Sequence, residues 1–157
     1  MTDIHGKTIW ARDSDLKCLE AFVYGFTEGK TGTRKISKRD TVIVENKQDV
    51  TYKLWNTELV RYRGPGKVYV YITDNSDMED VYYHGYYGRQ REVAMTQTTK
   101  NRMNCFLSYC GLDSLEVHSS LKLFGVWHKG KELKNNTWYK VDFEGKKLKE
   151  VSYSETL

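Results

Sequence analysis

Residues 57–73, TELVRYRGPGKVYVYIT, hold the pattern that most restricts the fold of this chain. Two runs of strand composition flank Gly64-Pro65-Gly66. Proline presets its own φ for a turn, and glycine takes backbone angles that other residues resist, so the runs are expected to fold back on each other as a hairpin. In the second run Val68, Val70 and Ile72 share one face, and Tyr69 and Tyr71 the other. That period of two is what a sheet with one buried face requires. Upstream, VTYKLWN (50–56) alternates Val50, Tyr52 and Leu54 against Thr51, Lys53 and Trp55, and TVIVEN (41–46) has the composition of a strand.

The rest of the chain extends this pattern. VYYHGYYGRQREVAM (81–95) reads as strand interrupted by Gly85 and Gly88, with the acidic DNSDMED (74–80) as an exposed turn before it. Short strands are expected in VHSSLKLFGVWHKGKEL, NNTWYKVDF and KKLKEVSY, with turns at Asn135-Asn136 and Glu144-Gly145. Two segments change period. In DSDLKCLEAFVYGF (13–26), Leu16, Leu19, Val23 and Phe26 recur every three or four residues, with Asp13 or Ser14 as cap and Gly25 as the end. In TQTTKNRMNCFLSYCG (96–111), Met103, Phe106, Leu107 and Cys110 form one helical stripe, a threonine can cap the start, and Gly111 stands where a left-handed terminator belongs. The expected fold is α+β, an antiparallel β-sheet with one or two packed α-helices, in a single domain over residues 1–157. A mobile basic loop is expected at about 27–40.

Several functions are disfavoured. No stretch approaches the ~18 apolar residues of a membrane span, and the polar start lacks the apolar core of a signal peptide. Cys18, Cys105 and Cys110 form no CxxC pair, so free thiols in the cytoplasm are expected. His5, His84, His118 and His128 are scattered, and DNSDMED lacks the alternating acids and central glycine of a calcium loop, so no metal site is expected. GFTEGKT is one residue short of a Walker A spacing and follows a helix rather than a strand. With no cofactor motif and no activated nucleophile, a non-catalytic protein is the expectation.

The second helix poses a question. Lys100 and Arg102 stand in its first turn, where unsatisfied N–H groups already make the field positive and each exposed cation costs roughly 0.3–1 kcal/mol. An anion would reverse that sign. Arg89, Arg91, Thr98, Thr99, Lys100 and Arg102 therefore form a candidate phosphate-binding corner; the plain alternative is that these cations turn to water or pair with acids such as Glu92. Lys30, Arg34, Lys35, Lys38 and Arg39 supply a second basic cluster. Trp55, Tyr69, Tyr71, Tyr83 and Tyr87, interleaved with Lys53, Lys67 and Arg89, make a candidate stacking face for unpaired bases or a protein interface, unless a second layer covers them.

The segment Thr98 to Asn104, TTKNRMN, following YKLWNTELVRY and a return strand, resembles small uncharacterised proteins of bacteriophages and plasmids that carry a T-T-K-x-R-[ML]-N helix start. The likeness spans roughly residues 50–143. It implies a mobile-element origin and an α+β fold, without implying an activity. The expected function is a small phage-type protein that binds nucleic acid through basic and tyrosine-rich surfaces in the host cytoplasm. Binding and modulation of a host enzyme or defence complex is the alternative, with an enzyme of unrecognised site third. A net charge of +4 permits an anionic partner without requiring one.

Overall fold

The computed structural model describes residues 1–73, 77–83 and 86–157, with side chains described for all of these except 77–83 and 86–91. The first helix, α1 (Asp13–Glu28), carries Asp13 and Asp15 in its first turn, where they oppose the positive end of the dipole. It ends at Gly29 (φ 68°), whose N–H donates to the Gly25 carbonyl at 3.0 Å. Gly25 is thus an interior residue and not the terminator expected of it. Its role is close approach: a Cβ there would lie 2.9 Å from Val44 Cγ2 and Val50 Cγ1 on the sheet beneath. Gly25→Ala should gain about 1 kcal/mol of helix propensity and lose about 1–3 kcal/mol to overpacking. The expected net is destabilisation, read as a lower urea midpoint at unchanged m; an unchanged or raised midpoint would mean that helix and sheet yield at little cost.

The basic segment after α1 is strand in part, not loop throughout. β1 (Gly32–Lys35) pairs antiparallel with β2 (Asp40–Asn46), and the Ile36 N–H donates to the Asp40 carbonyl at 2.8 Å across the turn. The meander continues through β3 (Asp49–Leu54), β4 (Thr57–Tyr62) and β5 (Val68–Ile72), with the Gly-Pro-Gly turn joining the last two. β6 (Asp77–Tyr83) and β7 (Tyr86–Val93) form a separate hairpin, so Asp77, Glu79 and Asp80 belong to a strand and not to the expected acidic turn; residues 74–76 lie outside the described residues. α2 (Gln97–Tyr109) follows. β8 (Glu116–Ser119), β9 (Phe124–His128) and β10 (Lys131–Leu133) make a three-stranded sheet. β11 (Thr137–Asp142) and β12 (Lys147–Val151) then return to the main sheet, whose order is β1-β2-β3-β4-β5-β11-β12.

Both helices cover one face of that seven-stranded sheet. Val42, Val44, Val50, Tyr52, Leu54, Val60, Val70 and Ile72 meet Cys18, Leu19 and Phe22 of α1 and Met103, Phe106 and Leu107 of α2 in one core. Each fully buried side chain of this size is worth about 1.5–3 kcal/mol. On the other face, cross-strand register aligns Thr51, Arg61, Tyr69 and Lys140. A C-terminal 3-10 helix (Tyr153–Thr156) lies over this row: Arg61 Nη1 donates to Thr156 Oγ1 at 2.6 Å and Arg63 Nε to the Thr156 carbonyl at 2.8 Å. Tyr69 is left 3% exposed, which removes it from the stacking face on which it was expected. No described helix is long and apolar enough to cross a membrane.

Candidate nucleic-acid interface

The capping of α2 follows the threonines. Thr96 is the N-cap, its Oγ1 accepting from the Thr99 N–H at 3.4 Å, and the Thr96 carbonyl accepts from the Lys100 N–H at 3.0 Å. The N–H groups of Gln97 and Thr98 remain as open donors among the described residues. Gly111 (φ 78°) closes the far end, where the Leu112 N–H reaches the Leu107 carbonyl at 2.9 Å.

Arg102 does not take part in an anion corner. It is 2% exposed and points between the two helices and the sheet. Its Nε and Nη2 donate side-on to Asp40 Oδ1 and Oδ2 at 2.9 and 3.1 Å, and its Nη1 donates to Asp15 Oδ1. Tyr52 Oη and Ser37 Oγ, the latter at 2.6 Å, also donate to Asp40. Burial by itself would raise the Asp40 pKa, but the donors from Arg102, Ser37 and Tyr52 outweigh it and hold the carboxyl well below the usual range. With the helix starting at Gln97, Arg102 lies in its second turn and not the first as expected, and its charge is matched by two carboxylates that are distant in sequence. Lys100 is half-buried and makes no ion pair among the described residues.

The remaining predicted residues divide between two places. Lys30, Arg34 and Lys35 line a groove of about 530 Å3 between β1 and α1, beside Tyr24, and Lys38 is exposed in the β1–β2 turn. Arg39, Trp55, Tyr71, Thr98 and Thr99 come together elsewhere, around a cleft of about 480 Å3 at the start of α2. The Thr73 hydroxyl on its wall is shielded from water and has no hydrogen-bond partner among the described residues. The side chains of Tyr83, Tyr87, Arg89 and Arg91 lie outside the described residues.

This cleft shares Thr57, Tyr71 and Asn136 with a second, of about 690 Å3, that runs over the outer face of the sheet past Lys53, Trp138 and Tyr153. Tyr71 Oη donates to Asn136 Oδ1 at 2.9 Å where the two meet. The floor of the second cleft is a stack. The Tyr71 and Trp138 rings are 5.1 Å apart, and the Arg61 guanidinium lies between Trp138, at 4.6 Å, and Tyr153, at 5.2 Å. Arg61 also donates to Glu58, so its charge is matched locally. Arg61, Trp138 and Tyr153 were not among the predicted residues, since only cross-strand register and the fold-back of the C-terminus bring them together.

Trp55 stands out on this surface. It occupies a two-residue hairpin loop between Leu54 and Thr57, 65% exposed, with φ at 55°. A left-handed backbone costs a non-glycine residue roughly 1–2 kcal/mol, and bulky residues rarely adopt it. The neighbouring Asn56, whose residue type tolerates that angle, is not at the left-handed position. The Trp55 N–H donates to the Arg39 carbonyl at 2.6 Å and both residues line the first cleft, with Arg39 Nε 3.8 Å from Asp40 Oδ2.

The chemistry of the thiols is quiet. Burial pushes the Cys105 and Cys110 thiols up to about 12 and Cys18 up to about 11, so all three stay protonated at neutral pH. Among the described residues no group of three His, Cys, Asp or Glu side chains converges as metal ligands would. Comparisons with protein-family models, curated proteins and solved structures return no match.

Proposed function

We propose that this protein binds single-stranded nucleic acid along the two joined clefts. Bases stack on Trp55, Tyr71 and Tyr153, and phosphates meet Arg39, Lys53 and the open end of α2. The observation that carries this reading is Trp55, a large aromatic held in water by a strained turn beside a cation. Backbone strain of this kind concentrates where a side chain serves binding rather than folding. Aromatic platforms beside cations hold unpaired bases with little sequence preference, at about 1–3 kcal/mol per stacked base.

Fluorescence anisotropy with labelled single-stranded DNA and RNA tests it. Two phosphate-neutralising cations predict a slope of log affinity against log salt near about −1.4. Trp55→Gly is expected to weaken binding by about 5- to 150-fold, the equivalent of one lost stack. The same change should raise the stability of the free protein by about 1 kcal/mol, because glycine adopts the left-handed angle without strain. Salt-independent binding, or none at low salt, would sink this reading. The exposed Trp and Tyr side chains would then point to a protein partner, for which they are common anchor residues.

A further inference from the structure

At the opposite end of α2, ~20 Å from the clefts for a 13-residue helix, the two helices and the sheet frame a separate cavity of about 430 Å3 that opens to solvent. Phe22, Phe26, Phe106 and Val68 wall it, with the Phe26 and Tyr62 rings stacked at 4.2 Å. This volume falls in the range of about 300–1,000 Å3 typical of ligand pockets. Exposed Ile4 and Gly66 line it towards solvent, and the Ile4 N–H is tied to the Tyr109 carbonyl at 3.0 Å.

The character of its lining decides what it suits. The walls are almost wholly apolar, and the Tyr62 and Tyr109 side chains are part of them. Among the described residues no charged side chain lines the cavity, and the Cys110 thiol there is protonated. An ion would lose its hydration without gaining a counter-charge, and water would find few partners on such walls.

We propose that this cavity binds a small neutral, flat apolar molecule, whose rings pack against the aromatic walls. This site is independent of the nucleic-acid reading.

Nile red, neutral and planar, is the probe. The intact protein should bind one equivalent with micromolar affinity and blue-shifted emission. Val68→Trp, which fills the cavity, should abolish binding while melting cooperatively. Trp55→Gly should leave binding unchanged, which separates this site from the clefts. Unsaturable emission, no blue shift, or equal binding by a folded Val68→Trp variant would overturn the proposal.

Discussion

Arg102→Leu is expected to destabilise the protein by about 3–5 kcal/mol, the cost of removing one partner from a buried ion pair. The loss is large because both carboxylates stay behind. Asp15 and Asp40 have side chains only 4% and 1% exposed, and Arg102 donates to both. Against a typical total of about 5–15 kcal/mol, the variant should unfold at much lower urea or fail to accumulate. Arg102→Lys should rescue little, since one ammonium cannot reproduce a side-on pair to Asp40 together with a third bond to Asp15. Asp15→Asn/Asp40→Asn/Arg102→Leu, which removes the buried charges and leaves only the more exposed Arg12 and Arg39 that also pair with these carboxylates, should recover part of the loss. A loss below about 1 kcal/mol in Arg102→Leu would mean that water reaches these carboxylates. Acid titration gives a second check with a defined sign. The folded pKa of Asp40 is depressed, so its contribution is present above the ordinary value of 3.8 and is lost as pH falls below it.

The second large effect lies at the other end of the pH scale. Cys18, Cys105 and Cys110 ordinarily ionise near 9.0, but in the folded protein only near 11 to 12. Burial is the main cause in each, joined by the Asp40 carboxylate at Cys18 and the Asp15 carboxylate at Cys105. Because the folded pKa values are raised, the unfolded chain releases these protons first. The stabilisation is complete below pH 9.0 and drains away as pH climbs through the window up to about 11 for Cys18 and about 12 for Cys105 and Cys110. Each such thiol contributes a slope of about 1.4 kcal/mol per pH unit, so three together approach about 4 kcal/mol per pH unit. Urea midpoints measured in reductant at pH 8, 9, 10 and 11 should therefore fall steeply. Cys18→Ala/Cys105→Ala/Cys110→Ala should be less stable at pH 8 but have a much flatter profile. Parallel profiles for the two proteins would show that other groups, Tyr52 among them, govern the alkaline transition.

Local chemistry was legible in the sequence wherever a segment's own pattern decides its structure. The β4–β5 hairpin follows from Gly64-Pro65-Gly66 and two strand-like runs. The cap at Thr96, the stripe through Met103, Phe106, Leu107 and Cys110, and the terminator at Gly111 all stand as the helical spacing predicts. Gly25 was misread because a glycine near the end of an apolar stripe resembles a cap; only the approach of Val44 and Val50 shows that it is there for packing. The basic run at 30–39 resembled a loop by composition, yet an edge strand needs a neighbour more than it needs apolar residues. Tyr69 has the periodicity of an exposed residue and is covered by a C-terminal turn more than eighty positions away.

Arg102 marks the division between the two levels. Sequence by itself determined the class of fold, the faces of the main strands and helices, and the oddity of a cation close to the start of α2. Only the tertiary structure decided what answers that cation. Asp15 and Asp40 lie 87 and 62 residues away, and a carboxylate's effect depends on distance and dielectric rather than on sequence separation. The same holds for the clefts. Trp55, Tyr71, Trp138 and Tyr153 share a surface because antiparallel register and a folded-back C-terminus put them there, and no periodicity within one segment encodes that meeting.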